Sequence, residues 1–138
     1  MKIHFLQLQA HGDDRGSLIA LEQGENIPFE IRRVYYMFNT GKGVRRGFHA
    51  HNSLKQVAIA VRGSCRLLLD DGHEKIDICL DNPCQGLLIE SFIWREIYDF
   101  SEDCVLMVLA DKLYDESDYV RDYSEFLALA SRMKKNDS

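Results

Sequence analysis

The chain has 138 residues, of which 46% are hydrophobic and 28% charged, the composition of an ordinary globular protein. Seventeen Lys and Arg against 22 Asp and Glu give a net charge of −5, which argues against general nucleic-acid binding because that function usually brings a basic excess. The apolar run at 105–110 is far shorter than the roughly 20 residues of a membrane helix, so no membrane association is expected. We expect a single domain over residues 1–138.

The four cysteines, at positions 65, 79, 84 and 104, form neither a CxxC pair nor a spacing typical of zinc sites. Cys65 and Cys104 fall inside strand-like segments and are predicted to be small buried hydrophobes. The amino-terminal residues alternate between apolar and polar types, without the unbroken apolar segment of a secretory signal. These observations favour a reduced protein in the cytoplasm.

Short stretches rich in β-branched and aromatic residues, many with apolar and polar residues in alternation, recur along most of the chain. Turn residues separate them at roughly eight-to-twelve-residue spacing, which is typical of a β-sandwich or barrel. Asp-Asp-Gly-His at 70–73 joins two alternating runs and predicts a hairpin. The predicted strands are 3–8, 17–22, 32–38, 46–51, 56–63, 64–72, 74–80, 86–90, 94–100 and 104–111.

The carboxy-terminal part of the chain has a helical pattern instead. Ser124 is a suitable N-cap for a helix over 125–135, which has apolar residues on one face and basic residues in its last turn. The predicted fold is therefore all-β with one short C-terminal helix.

One run of glycines, histidines and a glutamine has an informative spacing. Five residues separate Gly43 from His49-Ala-His51, four more precede Gln56, and a further six precede Gly63. This pattern resembles the first motif of the cupin superfamily. The resemblance implies a cupin-type double-stranded β-helix, that is, a jelly-roll barrel, with both imidazoles directed into its mouth.

The same pattern departs from that of the metal-binding cupins at two positions. Those proteins have a glutamate where this chain has Gln56, and they take a further histidine from a second motif. The counterpart of that motif is 82–94 in this chain, and no histidine follows its glycine. Stable divalent metal sites generally need three or four protein ligands with some anionic character, so no metal is predicted.

His49 and His51 lie two residues apart on a predicted strand, so their side chains share one face of the sheet. Two such imidazoles can hold a metal, fill a buried polar site as structural residues, or transfer protons. An unperturbed histidine pKa of ~6.5 permits proton exchange close to neutral pH. Because the predicted cavity is metal-free, we predict that the pair is catalytic.

Two further stretches, 13–16 and 39–49, resemble the nucleotide-sugar epimerase branch of the cupins. In dTDP-4-dehydrorhamnose 3,5-epimerases, a similar D-x-R-G arginine and an R-G-x-H arginine contact the diphosphate, and the histidine is the base. The resemblance places Arg15 and Arg46 at the diphosphate and makes His49 the base. A lysine that helps to stabilise the enolate in those epimerases falls on a glutamine here, which is a departure from their pattern.

Over nearly its whole length the sequence is similar to the dTDP-4-oxo-6-deoxyglucose 3,4-ketoisomerases, the WxcM-like sugar isomerases. The segments that carry the resemblance are 33–39, 45–56, 91–101 and 114–127. It implies an isomerase that moves the keto group of a dTDP-4-keto-6-deoxyhexose from C4 to C3, in deoxyamino-sugar biosynthesis for surface polysaccharide. It also implies a homodimer that needs neither a metal nor another cofactor.

That reaction gives several side chains a predicted role. His49 is the base that removes the C3 proton, and His51 is the partner that shuttles or orients protons. Gln56 donates a hydrogen bond to the enediolate oxygen. Tyr36, or its neighbour Tyr35, is a candidate acid or polar contact, and its alternative role is that of a core aromatic with its hydroxyl at the rim.

Two neighbouring arginines compete for the role of phosphate ligand, for which a guanidinium fork is well suited. Strict strand alternation groups Arg45 with the histidines, whereas the family pattern favours Arg46. Gly47 can host a β-bulge that re-aims one side chain, and on this basis Arg46 is predicted to reach the phosphates. Trp94 and Arg95 are predicted to line or brace the cavity, with filling of the barrel as the structural alternative for Trp94.

Three other functions stay open on the sequence alone. The first is a nucleotide-sugar 3,5-epimerase. The second is a metal-dependent cupin oxygenase, and the third is a non-catalytic module that binds sugars or nucleotide sugars. Chemical analysis of the products, metal analysis and replacement of His49 distinguish these alternatives.

Overall fold

The computed structural model describes residues 1–137, with the backbone alone for 134–137. In this range the chain forms twelve strands, a short 3₁₀ helix (Glu116–Asp118) and one α-helix, α1 (Tyr123–Asp137). The strands are β1 (His4–Gln7), β2 (Ala10–Asp13), β3 (Gly16–Ile19), β4 (Arg33–Met37), β5 (Arg46–His51), β6 (Gln56–Arg62), β7 (Cys65–Asp70), β8 (Lys75–Leu80), β9 (Gln85–Ile89), β10 (Trp94–Tyr98), β11 (Val105–Ala110) and β12 (Tyr119–Val120). Each of the ten predicted strands is present.

Two strands lie outside the prediction, and both are short. Strand β2 consists of Ala-His-Gly-Asp, which has no apolar alternation, and it pairs with β3 around a tight turn. Strand β12 has two residues and exists through its pairing with β5, where Tyr119 lies opposite His51. Local sequence could not indicate either strand because neither has a hydrophobic face of its own.

Two five-stranded antiparallel sheets make up most of the molecule. Their strand orders are β1-β9-β6-β11-β4 and β12-β5-β10-β7-β8, and the predicted hairpin at 70–73 joins β7 to β8. The inward side chains of both sheets meet in one apolar core, so the sheets face each other as the two layers of a jelly roll. The all-β class with a C-terminal helix is confirmed.

The core between the sheets is aliphatic. Leu67, Leu87 and Leu106, from three different strands, are completely buried, and burying each leucine side chain contributes about 1.5–3 kcal/mol. The other buried members of this cluster are Ala58, Ala60, Cys65, Leu69, Ile78, Leu80, Ile89, Ile97, Phe100, Cys104 and Val108. Cys65 and Cys104 are thus buried as predicted, and burial raises the pKa of both thiols.

Helix α1 covers the outer face of the second sheet. Phe126 is fully buried against Trp94 and stacks on Phe92, with ring centroids 5.1 Å apart for the Phe92 pair. The prediction that Ser124 caps the helix is wrong. Asp122 takes this role, because its carboxylate accepts the backbone N–H of Glu125 at 3.0 Å.

The first sheet is covered differently on its outer face. Residues 19–31 cross it and contribute Ile27 and other apolar side chains to a second cluster against Val57 and Ile59. Strand β4 ends this sheet, and its outward side chains Val34 and Tyr36 are 50% and 63% exposed. None of the helices in the described part of the chain is long and apolar enough to cross a membrane.

Candidate active site

A cavity of about 450 Å³ opens between the two sheets, and core side chains form the apolar part of its lining. The polar and charged residues that line it are Arg33, Tyr35, Arg46, His49, Gln56, Arg95, Tyr114, Tyr119 and Arg121. This set contains four arginines and no carboxylate. The described lining is therefore positively charged although the chain as a whole is acidic, which favours an anionic ligand.

A β-bulge in β5 positions the charged residues of the cavity. Opposite β10, His49 pairs with Arg95 but Gly47 pairs with Glu96, so Phe48 is an extra residue in the ladder. Gly47 and Phe48 both have positive φ angles, +96° and +56°. The bulge predicted at Gly47 is therefore present.

The bulge reverses the side-chain alternation on its amino-terminal side. Arg46 lies opposite Ile97 and lines the cavity, whereas Arg45 lies on the outer surface. There the Arg45 guanidinium bonds Glu96 at 2.8 Å and stacks on the Tyr98 ring at 4.1 Å. Without the extra residue, the two arginines would exchange places.

The carbonyl of Gly47 fixes the protonation pattern of His49. Nδ1 of His49 lies 2.9 Å from this oxygen, and a carbonyl only accepts, so Nδ1 carries the hydrogen. In the neutral ring Nε2 then has a free lone pair. Burial, with a contribution from the Arg95 charge, lowers the pKa of His49 to about 4, so the ring is neutral at physiological pH.

His51 lies behind His49 rather than beside it. The two rings are edge to face with centroids 4.9 Å apart, and His51 is 1% exposed. It borders a second cavity of about 80 Å³ and is not among the residues that line the larger one. Its Nδ1 lies 3.2 Å from a carboxylate oxygen of Asp118, and burial lowers the pKa of the ring.

A chain of three side chains crosses the buried side of the cavity. The guanidinium of Arg95 donates to Oε1 of Gln56, and Nε2 of Gln56 donates to the Tyr35 hydroxyl at 2.9 Å. Because Arg95 can only donate, it fixes the orientation of the amide. The Tyr35 oxygen therefore accepts within this chain, and its own hydrogen is available to the cavity.

Arg95 is a buried cation whose acceptors in the described residues are all neutral. They are the Gln56 amide and the carbonyl of Ile93, at 3.0 Å from one terminal nitrogen. Burial lowers the pKa of Arg95 to about 10, which still leaves it charged at neutral pH. A positive charge without a carboxylate partner favours negative charge that develops in the cavity.

Arginines and tyrosines also surround the cavity at the C-terminal segment. Arg33 lies over the rings of Tyr35 and Tyr114, at 5.3 and 5.6 Å from their centroids. Arg121 stacks on Tyr119 at 4.2 Å. These contacts hold the guanidinium groups in place. Arg121 also donates to the Glu116 carboxylate from Nε at 2.8 Å and from one terminal nitrogen at 3.0 Å, so its other terminal nitrogen is the donor that remains for a ligand.

Besides Arg45, three residues predicted to contact substrate lie outside this cavity. Tyr36 points outward from β4, and its neighbour Tyr35 is the tyrosine that points inward, as strand alternation requires. Trp94 is buried against α1 and donates to Glu96 at 3.0 Å, which corresponds to its structural alternative. Arg15 lies in the exposed β2–β3 turn, paired with Asp13 at 2.6 Å.

Of the two neighbours predicted to line or brace the cavity, Arg95 lines it and Trp94 does not, since adjacent strand residues lie on opposite faces. Other residues near the site were not singled out in the sequence. Tyr119, Arg121 and Asp118 come from the C-terminal segment, whose docking beside β5 no local pattern indicates. Among the described residues, no three His, Cys, Asp or Glu side chains are grouped as metal ligands.

Known proteins with similar sequences and structures share a common description. The chain matches the WxcM-like, C-terminal family (FdtA) over residues 1–131. It is 54% identical over 114 residues to the TDP-4-oxo-6-deoxy-α-D-glucose-3,4-oxoisomerase of Aneurinibacillus thermoaerophilus, which covers 83% of this chain and 82% of that protein. The 3,4-ketoisomerase of Helicobacter canadensis superposes with a TM-score of 0.91 and 46% identity, over 95% of this chain and 98% of that one.

A second solved structure comes from Thermoanaerobacterium thermosaccharolyticum, a 3,4-ketoisomerase in complex with TDP-4-keto-6-deoxyglucose. Its TM-score is 0.92 at 38% identity, over 94% of each chain. A 3'-monoepimerase of Streptomyces bikiniensis, at 16% identity over 85% of this chain and 67% of its own, has a TM-score of 0.73, which shows likeness of fold alone.

The facing sheets and the histidine-bearing cavity between them thus define a cupin-type protein, as predicted. Within that class, the chain belongs to the WxcM-like, C-terminal family.

Replacement of Gly47 by alanine is expected to damage the site through the backbone. A β-carbon at this position would lie 2.8 Å from the carbonyl oxygen of Arg95, and φ is +96°. We expect the Gly47→Ala variant to lose about 1–3 kcal/mol of unfolding free energy, measured by denaturant titration. We expect a drop in turnover as well, because both Arg46 and His49 depend on the bulge.

Gly41→Ala is the matched control. Its β-carbon meets just the Val44 side chain within 4 Å, at 3.5 Å, an ordinary contact. It should leave unfolding free energy and turnover close to those of the unmodified protein. Equal effects of the two substitutions would contradict a specific role for the bulge.

Proposed function

We propose that this protein is a sugar-nucleotide 3,4-ketoisomerase, which moves the keto group of a dTDP-4-keto-6-deoxyhexose from C4 to C3. The observation that carries the proposal is the state of His49, which lines a cavity with a positively charged lining and has a neutral imidazole with a free lone pair on Nε2. The names of the relatives support the substrate class. The product, a 3-keto sugar nucleotide, suits deoxyamino-sugar biosynthesis for surface polysaccharide.

Proton transfer alone accomplishes this reaction. The C4 ketone acidifies the C3–H bond, and Nε2 of His49 removes that proton to give an enediolate. The proton returns to C4, while the hydroxyl proton moves from O3 to O4, which leaves the ketone at C3. Since no electrons leave the substrate, the balance requires no redox cofactor.

Arg95 and Tyr35 stabilise the enediolate in this mechanism. The positive charge of Arg95 lies in a buried site, where it acts more strongly than in water. Burial raises the pKa of Tyr35, so its hydroxyl keeps its proton and can donate to the enediolate oxygen. Gln56 was predicted to donate directly to that oxygen. Because its amide donates a hydrogen bond to the Tyr35 hydroxyl, we propose instead that Gln56 acts through Tyr35.

The arginines nearest the C-terminal segment are proposed to hold the diphosphate. Arg46, Arg33 and Arg121 line the same cavity, and guanidinium groups match the paired oxygens of phosphates. Tyr114 and Tyr119 line it beside them and offer flat apolar surfaces to the sugar or the base.

The first test uses dTDP-4-keto-6-deoxyglucose in deuterated water without added metal. The unmodified protein should yield a 3-keto product that an aminotransferase dependent on pyridoxal phosphate can consume. The His49→Asn variant should bind the substrate with similar affinity but turn it over about 10²–10⁴-fold more slowly, because the base is missing. The Thermoanaerobacterium relative was crystallised in complex with TDP-4-keto-6-deoxyglucose as a histidine-to-asparagine variant, so a substitution of this kind is compatible with binding in a relative.

Three outcomes would contradict the proposal. Formation of C3 or C5 epimers without a 3-keto sugar would favour an epimerase. Activity that disappears on chelation, together with stoichiometric iron or manganese, would favour the oxygenase. Full function in the His49→Asn variant would favour a non-catalytic binding module.

The lowered pKa of His49 determines the expected pH profile. Because the base must be neutral, kcat/KM should stay constant as pH falls from 8 through 6.5 and decline tenfold per pH unit below about 4. An unperturbed histidine would begin this decline at ~6.5. As a control, enzyme that has been incubated at low pH and returned to pH 7 should regain full activity. This shows that the loss of activity at low pH comes from protonation of His49 and not from irreversible unfolding.

A homodimer is proposed as the active form. The edge strand β4 exposes Val34 and Tyr36, and the exposed Phe38 packs beside Tyr36 with ring centroids 5.9 Å apart. An unpaired edge with an apolar outer face suits association with a second copy. Arg15, whose side chain is 86% exposed and outside the cavity of its own chain, is proposed to reach the diphosphate in the partner.

Mixing two inactive variants tests this arrangement. Arg15→Ala and His49→Asn subunits, unfolded and refolded together, should regain up to about a quarter of full activity, since each mixed dimer would contain one intact site. Sedimentation should give twice the monomer mass. No regain of activity would place Arg15 in the site of its own chain or outside any site.

We propose a cytoplasmic location. All four cysteines are free thiols in the structure, and two of them are buried in the core. Free thiols of this kind are typical of a reducing compartment.

A further inference from the structure

The proton-shuttle role predicted for His51 does not explain what holds its ring in a form that can accept a proton. The ring is 1% exposed, and its Nε2 is buried without a hydrogen-bond partner in the described part of the chain. Leaving a buried polar atom unpaired costs about 1–3 kcal/mol, so such an atom calls for an explanation.

Asp118 is held so that one of its oxygens faces His51. Its Oδ1 accepts the backbone N–H of Ser53 at 3.0 Å and the Ser53 hydroxyl at 2.9 Å. Lys112 in turn donates to that hydroxyl at 2.8 Å. The other oxygen, Oδ2, lies 3.2 Å from Nδ1 of His51. The carboxylate thus has a fixed orientation.

This geometry determines which nitrogen of His51 carries the hydrogen. A carboxylate accepts and does not donate, so Nδ1 must donate to Asp118 and Nε2 must have the lone pair. We infer that Asp118 is a positioning residue that holds His51 as its Nδ1-protonated tautomer, which is the form that the predicted proton-shuttle role of His51 requires, with Nε2 as the acceptor. This inference rests on the proposed function, because that reaction moves two protons.

The second proton is the hydroxyl proton that leaves O3. His49 takes the carbon-bound proton, and the hydroxyl proton needs a different acceptor until O4 receives it. Nε2 of His51 accepts it, the ring becomes an imidazolium that the Asp118 carboxylate stabilises, and the proton then passes to O4. No atom or electron is gained or lost in this exchange.

The path from Nε2 of His51 to the sugar requires a water molecule, and the small cavity has room for one. The cavity that His51 borders has a volume of about 80 Å³ and polar walls, which include Ser53 and Asp118, so it can hold water. Arg33 and Tyr119 line both this cavity and the larger one, so the two lie side by side.

The Asp118→Asn variant tests the inference. The N–H of Ser53 only donates, so the amide oxygen of Asn must stay on Ser53 and its NH₂ group must face Nδ1 of His51. Nδ1 then becomes the acceptor, and the hydrogen moves to Nε2. Nitrogen-15 NMR of protein with labelled histidines reports this tautomer directly, without substrate.

We expect protonated Nδ1 in the unmodified protein and protonated Nε2 in Asp118→Asn. We further expect kcat to fall about 10²–10⁴-fold, with KM little changed, as when a histidine is held in the wrong tautomer. Asp115→Asn is the matched control. Its carboxylate borders the same small cavity but bonds Ser117, and Asn is an equally good helix cap.

Each outcome is decisive for the inference. Protonated Nε2 in the unmodified protein would overturn it, as would an Asp118→Asn variant that keeps the original tautomer. A changed tautomer with unchanged kcat would overturn the role of Nε2 as acceptor. Because the NMR measurement needs no turnover, failure of the proposed isomerase activity would be seen separately, as absence of product from the unmodified protein.

Discussion

The hydrogen bond from His49 to the carbonyl of Gly47 is the constraint on which the site depends. It exists because Phe48 is an extra residue in β5, and the same bulge turns Arg46 into the cavity and Arg45 out of it. One irregularity of the backbone thus sets both the tautomer of His49, the proposed base, and the position of Arg46, a phosphate-binding candidate. Glycine is required at position 47 because the Arg95 backbone leaves no room for a β-carbon.

The charges of the site complement this geometry. Arg95 is buried without a carboxylate partner in the described residues, and its charge helps to keep His49 neutral. Where metal-binding cupins have glutamate, Gln56 joins Arg95 to the Tyr35 hydroxyl instead. A glutamate there would pair with Arg95 and cancel its charge. The carboxamide at position 56 therefore preserves the positive potential that the proposed enediolate requires.

Alternation and turn residues predicted the strands well, since each strand of the two sheets except β12 has its own hydrophobic face. Spacing identified His49 and Gln56, and a glycine identified the bulge. The remaining site residues depend on contacts that are distant in sequence. Each of the pairs Tyr35/Tyr36 and Trp94/Arg95 was predicted without a decision from strand parity, and in each pair one member, Tyr35 or Arg95, lines the cavity. Asp118 could not be predicted because its partner lies 67 residues earlier.

That separation has a consequence for the order of folding. The two-residue strand β12 brings the C-terminal segment beside β5, and with it the carboxylate that contacts His51 and the ring of Tyr119. The barrel strands precede this segment in the chain, so they can pair before it docks, and closing so long a loop is slow compared with forming hairpins. Catalytic activity would then appear last in folding. Turnover would therefore report the fully assembled molecule, whereas spectroscopic signals of β-structure would already be complete before the C-terminal segment docks.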